Sequence, residues 1–518
     1  FIKGVQRDEV LLLPESLDEY VHADNPVRFI DQFVDGLDLN ELGFAYPKED
    51  IQQRGRPAYD PGDLLKLLIY GYSNGIRSGR KLQKACSVNV ELMWLLKKLA
   101  PDFKTICDFR RRNRKCLKSA SAQFTLLCQR MNLISAEFIA VDGSLIKASN
   151  NKEKSWNQSK IDSALKRNED AVEHYLKQIE DLDGDAAADS ARRNKELQKK
   201  LAKVKAQKKR LDEIKEAVND SKLQSIAYTD KDSRPLKKGD NRLVGYNVQH
   251  AVDGKHHLII AAEVTQKSTD YGLLYPTIQA AEEVLGKLEN CKLLADKGYY
   301  ESSDLKNCAD GGYTTYIPEQ RRSGGGKGHY TKDSFRYNKE KDHYTCPADQ
   351  VLARDKMSRS RGKDIVLYRN KSICGNCTLK ARCTSAAFRT IGRWVHEDYL
   401  ERNRQRVDEN PDYLTIRKSI VEHPFGTIKE FILSGGFRVR GIENVQAELS
   451  LAQLAYNLKR VTKLIPMADL LAMVRSFIFR PYTEPFKGFY GIQIIYKSTA
   501  VFCKVKIDKE QKCRNGVI

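Results

Sequence analysis

The sequence predicts a multidomain α/β protein: a mixed-sheet core with a basic all-α segment before it, interrupted by a charged helical hairpin and a cysteine-rich stretch. Three observations lead there. The chain has 518 residues, too many for one ordinary core and enough for roughly two to four domains of about 100–200 residues. Short apolar strand-like runs recur around a helical stretch, the pattern of an α/β unit. Residues 151–222 differ in kind, with 33 of 72 charged and apolar residues at heptad spacing.

Residues 1–50 carry 4 basic and 12 acidic residues, and Ser16-Leu-Asp-Glu19 reads as a helix start. From Asp60 the pattern turns helical: Pro61 suits a helix entry, and Leu64, Leu65, Leu67, Leu68 and Ile69 form a buried face. Ser78–Leu95 has the outline of two helices joined by a short turn, as in helix-turn-helix units. The balance has reversed here, with 16 basic and 5 acidic residues over 51–120. Arg77, Arg80, Lys81 and Lys84 lie near the turn. Arg110, Arg111, Arg112, Arg114 and Lys115 follow as a cluster suited to phosphates. We assign 1–130 to a helical DNA-binding domain.

In Glu137-Phe-Ile-Ala-Val-Asp142-Gly-Ser-Leu-Ile-Lys147 a short apolar strand ends in the carboxylate of Asp142. In the charged segment Leu165, Val172 and Ile179 repeat by seven. Leu197, Leu201, Val204, Leu211, Ile214 and Val218 make a second seam beyond Asp183-Gly-Asp185, hence a helical hairpin acting as a solvated arm. Strands return at Gly245–Asp253 and His257–Val264, joined through Asp253-Gly254-Lys255. A helix over 272–288 and a strand at Lys292–Asp296 follow. Arg321–Gly328 reads as a linker, Leu414–Phe431 and Gly441–Leu464 as helices. These give a catalytic domain over 131–465, interrupted by 151–222 and by a cysteine-rich insertion at 320–400. Residues 466–518 are a C-terminal extension to which we assign no role.

Composition narrows the function. Apolar residues make up 41% and charged residues 30%, so most of the chain should fold. No run approaches the roughly 20 apolar residues of a membrane helix, and the first residues lack the apolar core of a signal peptide. The formal charge is +21, from 89 Lys and Arg against 68 Asp and Glu, which favours a polyanionic partner such as nucleic acid. Twelve cysteines without a secretory signal point to reduced thiols in the cytoplasm. A membrane partner is excluded as the leading reading.

Three carboxylates stand out. Asp142 and Asp296 each follow an apolar strand and precede a glycine within two residues; Glu422 sits in the helical stretch Ile416–Lys429. Converging carboxylates repel one another unless a hard divalent cation neutralises them. Two such ions can activate an attacking oxygen and stabilise a leaving oxygen at a phosphodiester.

Ala140-Val-Asp142-Gly-Ser, Gly245-Tyr-Asn-Val-Gln249, Leu294-Ala-Asp296-Lys-Gly-Tyr299 and Val421-Glu422-His-Pro-Phe-Gly-Thr-Ile-Lys429 carry a resemblance. Together with Tyr70–Arg114 and Leu454-Ala-Tyr-Asn-Leu-Lys-Arg460, they make the chain similar to the DDE transposases of bacterial insertion sequences over roughly residues 1–465. The resemblance implies an RNase H-like catalytic core in which Asp142, Asp296 and Glu422 bind Mg²⁺ (or Mn²⁺). It also implies double-stranded DNA as partner (element ends and target), a homodimer or higher oligomer on DNA, and a cytoplasmic, nucleoid-associated place of action. Some members carry Tyr, Arg, Glu and Lys at fixed spacing around the glutamate. Here Lys429 fits, but Thr415 and Lys418 stand at the Tyr and Arg positions, with Tyr413 and Arg417 beside them. Lys429, Lys418 and Arg417 are accordingly DNA-contact candidates. Tyr228–Arg234 matches a Thr-Asp-x-Asp pattern in which Asp230 and Asp232 either position loops at the site or form a polar turn.

Cys346, Cys374, Cys377 and Cys383 follow Cys-x27-Cys-x2-Cys-x5-Cys spacing. Four thiolates complete a tetrahedral zinc site, so structural Zn²⁺ is expected against metal-free thiols as the alternative. Two other functions share the main features: an inactive transposase-derived DNA-binding repressor, and an RNase H-like nuclease without strand transfer.

Overall fold

A computed structural model describes residues 16–44, 57–150, 155–182, 188–220, 225–227, 229–238, 241–320 and 329–476. The expected turn at Asp183–Asp185, the linker Arg321–Gly328 and the extension beyond 476 lie outside these residues.

The chain opens on α1 (Pro26–Asp35), α2 (Pro61–Ser73), α3 (Gly79–Cys86), α4 (Val90–Leu95), α5 (Phe103–Arg112) and α6 (Arg114–Arg130). Sequence chemistry sets several of their starts. Asn25, Asp60, Asn89 and Asp102 each accept a hydrogen bond from a first-turn N–H, and Pro26 and Pro61 occupy first positions where no N–H is missed. Ser16–Glu19 forms only a turn, its Ser16 Oγ donating to Glu19 at 3.0 Å; the helix waits for the Asn25-Pro26 start. The pair α3–α4, separated by Ser87–Asn89, falls where a helix-turn-helix outline was read.

The central sheet begins with β1 (Phe138–Lys147). The small pair β2 (Ser155–Asn157) and β3 (Ser225–Ala227) closes the base of a helical hairpin, α7 (Gln158–Leu182) and α8 (Ala188–Asp220). Leu165, Leu201, Leu211, Ile214 and Val218 are buried along its seam, while Val172, Ile179, Leu197 and Val204 are only partly covered. The sheet continues with β4 (Arg234–Lys238), β5 (Asn241–Asp253) and β6 (Ile259–Thr265), then α9 (Leu274–Leu285), β7 (Lys292–Ala295), α10 (Ser302–Asp310) and β8 (Thr314–Tyr316). β5 is long enough to pair β4 and then β6 along one edge while β1 lies along the other. The order is β6-β5-β1-β7-β8: β5 runs antiparallel to β1 and β6, and β7 and β8 run parallel to β1. Ile139, Ala140 and Val141 are fully buried, as expected of a central strand covered on both faces.

The cysteine-rich insertion is more ordered than its sequence suggests. It is a five-stranded antiparallel sheet of β9 (Arg336–Asn338), β10 (His343–Thr345), β11 (Val351–Ser360), β12 (Lys363–Arg369) and β13 (Thr390–Trp394), with the one-turn α11 (Lys380–Cys383) before the last strand. Tyr344, Leu352, Val366, Tyr368 and Ile391 make a small core of its own. Then come α12 (Glu397–Glu409), α13 (Asp412–Gly426), a π-helical turn Thr427–Ile432, α14 (Ile442–Leu464) and α15 (Met467–Arg475).

One buried apolar cluster runs from Val21 to Val474, so the N-terminal helices and the sheet share a core. α14 is its axis. Both α2 and α6 pack on it, and β6 lies against it. Gln453 and Asn457 of α14 donate to the Ile259 carbonyl at 3.1 and 2.8 Å, pinning helix to strand.

Candidate active site

Asp142 lies in mid-strand, where the sequence placed it at a strand end. The register explains the difference. β1 keeps pairing with β5 out to Lys147↔Gly245, whereas β7 leaves it after Val141↔Ala295. The next step beyond that last pair is Asp142 beside Asp296. On the β7 side the sheet therefore opens at the two aspartates, although β1 itself runs on. Asp296 caps the short turn Lys297–Tyr299 by accepting from Gly298 N at 2.7 Å, and Asp142 Oδ1 accepts from Gly143 N at 2.8 Å.

α13 covers this part of the sheet, packing on β1 and β7. Ile420, Val421 and Pro424 are its buried residues. Arg417, four residues before Val421, brings its Nη1 to 3.1 Å from Asp142 Oδ2. This is ion-pair distance without hydrogen-bond alignment, since that buried nitrogen has no hydrogen-bond partner. Glu422 is next to Val421 on the turn and exposed, as are Lys418, Thr415 and Lys429. Tyr413 packs its ring edge-on against Phe138 and Tyr316. The structure thus brings together Asp142, Asp296 and Arg417 and leaves Glu422 exposed on the covering helix.

Two residues near the aspartates escaped the sequence reading. His250 faces Asp142 across β1 and β5, is fully buried, and stacks edge-on against Phe425 of α13 at 4.9 Å. Neither ring nitrogen has a partner, and burial pushes its pKa down to about 3. Asp270, in the loop after β6, reaches the opposite face of β1. Its Oδ1 accepts from Asn247 Nδ2 and Gln249 Nε2, both at 2.9 Å, and Tyr299 donates its hydroxyl to Gln249 Oε1. A Cβ on Gly143 would stand 2.4 Å from that oxygen, so the glycine after Asp142 makes room for Asp270. Burial, then the charges of Asp270, Asp142 and Asp296, push the Tyr299 phenol well above its usual pKa. A lone loop aspartate carries no spacing signal; only the folded chain reveals it.

The donor set at these strand ends is all oxygen, which suits a hard cation. Among the described residues, however, no three His, Cys, Asp or Glu side chains stand grouped as ligands of one ion. This holds for the cysteines too. Burial raises the Cys383 thiol, and the neighbouring Cys346, Cys374 and Cys377 push it further against a lowering by Arg389, so the four are near one another without forming a ligand shell.

The basic candidates divide by exposure. Arg80, Lys81, Lys84, Arg111 and Arg112 are exposed, with Arg111 paired to Asp108 at 3.0 Å. Arg114 pairs with Glu443 at 3.1 Å. Arg110 donates to Tyr72 at 3.1 Å. Arg77 is 5% exposed, its guanidinium held by Glu448 at 3.2 Å and by the carbonyls of Gly436 and Ser434, and no face is left for a phosphate. Asp230 and Asp232 hold the start of α14: Asp230 accepts from Gly441 N at 3.1 Å and from Tyr246, and Asp232 from Ile442 N at 2.9 Å.

With this geometry in view, comparison with known proteins is informative. The model described as Transposase DDE domain matches residues 135–458, and that described as Transposase domain (DUF772) matches residues 15–112. The first spans more than half the chain, which therefore belongs to the DDE transposase family, enzymes that cut DNA and transfer its strands. No curated protein matches significantly. A cryo-EM structure of the piggyBac transposase synaptic complex with hairpin DNA is similar at 8% identity over 87% of this chain and 81% of that one. Its TM-score of 0.28 carries no argument. Among the described residues no helix is long and apolar enough to cross a membrane.

Proposed function

We propose that this transposase binds the ends of its own insertion sequence and performs Mg²⁺-dependent strand cleavage and strand transfer on an RNase H-like core. The observation that carries the reading is the register: Asp142 and Asp296 fall side by side where two parallel strands part, at the centre of a β6-β5-β1-β7-β8 sheet. Asp142, Asp296 and Glu422 are the residues that would hold the metal. When bound, Mg²⁺ (or Mn²⁺) supplies polarisation of the phosphodiester and of the attacking oxygen. The chain's own residues do the rest. Asp142 and Asp296 orient the reacting strand end, and Glu422, exposed on α13, is open to the DNA. Arg417 stands ready to leave Asp142 for a phosphate oxygen, and Lys418 and Lys429 hold the strand on either side. Water displaces the 3′-oxygen at one strand, and the freed 3′-hydroxyl then displaces a 3′-oxygen of target DNA, with no protein–DNA bond formed.

Exposed Arg80, Lys81, Lys84, Arg111 and Arg112 support an end-binding role for the N-terminal helices, in a dimer or higher oligomer acting on DNA in the cytoplasm and nucleoid. The Cys-x27-Cys-x2-Cys-x5-Cys spacing supports structural zinc in the insertion. The test is a reaction of the full chain with linear DNA carrying the flanks of its reading frame, plus target plasmid. Cutting followed by joining is expected. Binding alone would indicate the repressor, and cutting without joining the nuclease.

A further inference from the structure

A cavity lies between α14 and the Glu422 helix with its π-helical turn. It has a volume of about 260 Å³ and is lined by His423, Thr427, Phe431, Tyr456, Lys459, Arg460 and Lys463. Two stripes build it. His423, Thr427 and Phe431 descend α13 and its π-helical turn at successive four-residue steps, and Tyr456, Lys459, Arg460 and Lys463 recur at helical spacing on α14. The π-helical turn follows Pro424, whose ring removes one helix hydrogen bond, and such turns often mark working sites.

Its chemistry is one-sided. Three cationic side chains and a histidine line it, and among the described residues no carboxylate does. Lys459 Nζ sits 4.1 Å from the Phe431 ring centroid while donating to the Ser73 carbonyl at 3.0 Å. Arg460 Nε donates to the His256 carbonyl at 3.0 Å. Tyr456 donates to the His257 carbonyl at 2.9 Å, and its oxygen stands 2.9 Å from His423 Nδ1. Lys459 and Arg460 are thus held in place by carbonyls, which leave their charge uncancelled. Burial, and behind it Lys463, lowers the pKa of Lys459; burial, then Arg460 and Lys463, lowers that of His423. At the rim Phe431 is 47% exposed, a large ring with one face open to solvent.

A concave site with uncancelled positive charge and an open aromatic face fits an anion attached to a flat ring. The volume falls below the roughly 300–1,000 Å³ of drug-sized sites, so it admits a single nucleotide and no duplex. We propose that this cavity binds one unpaired nucleotide of the DNA strand at the cut end, its base stacked on Phe431 and its phosphate held by Lys459, Arg460 and Lys463. The proposal rests on the transposase reading above and deepens it: His423, which lines the cavity, is the residue after Glu422.

The test uses the full chain and two short DNA probes of the same sequence. One is blunt with 2-aminopurine paired inside it, and the other carries 2-aminopurine in a short single-stranded extension. The extended probe should bind about tenfold more tightly and its fluorescence should be quenched, the gain expected for one base stacked on an aromatic side chain. Phe431→Ala should abolish both the preference and the quench while blunt-duplex affinity stays the same. Lys463→Gln, an exposed change that leaves the ring in place, should keep the quench but lower the salt slope for the extended probe by about 0.7, one single-strand phosphate. Asp142→Asn should retain every one of these responses, which separates the cavity from the chemistry. Equal affinity for the two probes, or a quench that survives Phe431→Ala, would overturn the proposal. Failure to bind the blunt duplex at all would overturn the DNA-binding reading beneath it.

Discussion

Gly143 is the position with least freedom in the site. A methyl group there would stand 2.4 Å from Asp270 Oδ1 and 2.6 Å from Gln249 Nε2, both held in a hydrogen-bonded cluster. Gly143→Ala should destabilise the protein by about 1–3 kcal/mol through overpacking, measured by denaturant unfolding, and should suppress cleavage. Asp270→Ser in the same chain should recover part of the stability. If the single substitution leaves both stability and cleavage unchanged, Asp270 does not brace the strand. His250 gives a pH prediction. Its folded pKa of about 3 lies below the roughly 6.5 of an unfolded histidine, so between these values the unfolded chain binds the extra proton. Its contribution to stability is therefore complete above about pH 6.5 and is lost as the pH falls toward 3. His250→Leu should flatten the decline in melting temperature over that window, and an unchanged slope would remove His250 as its source. Asp142 and Asp296 were legible in sequence because apolar runs mark their strands. The Arg417–Asp142 pairing and the Asp270 cluster were not, because they join residues far apart in the chain.

The elements that carry these residues are tied together by buried polar contacts whose function the charge pattern hid. Composition makes Arg77 one cation of a basic segment; burial makes it a clasp. Glu448, fully buried on α14, accepts from Arg77, from the Tyr72 hydroxyl at 3.1 Å and from the backbone N–H groups of Arg438 and Val439 at 2.8 and 3.2 Å. It thereby links the α2–α3 junction to the turn that follows the Glu422 helix. Glu448→Ala would leave Arg77 buried and unpaired, a loss of about 3–5 kcal/mol. Urea unfolding measures it, and a loss below about 1 kcal/mol would mean the pair is solvated rather than sealed. The insertion shows the opposite balance. Its cysteine spacing was readable, but its five short strands were not, since runs such as Val351–Ser360 are largely exposed and lack an apolar face. If zinc holds these strands, reduced protein should contain about one tightly bound Zn²⁺ per chain by elemental analysis. A metal-free preparation with the same stability would return Cys346, Cys374, Cys377 and Cys383 to ordinary thiols.

On the scale of the whole molecule, the α/β class and the hairpin arm were legible because periodicity and charge density change sharply along the chain. The shared core was less so. A basic N-terminal segment reads as a separate module, yet α2 and α6 lie on α14, which also carries β6 and the nucleotide-sized cavity. One helix therefore packs on α2, α6, β6 and the π-helical turn that follows the Glu422 helix. Asp142 and Asp296, adjacent where β1 and β7 part, are the proposed chemical centre of a strand-transferring enzyme. Single-turnover cleavage of an element end by full-length protein in Mg²⁺, wild type against Asp142→Asn, tests it most directly. Cleavage and joining should fall by about a thousandfold or more, over 4 kcal/mol of barrier, with end-binding affinity unchanged. Cleavage by Asp142→Asn within about threefold of wild type, under 1 kcal/mol of barrier, would contradict it.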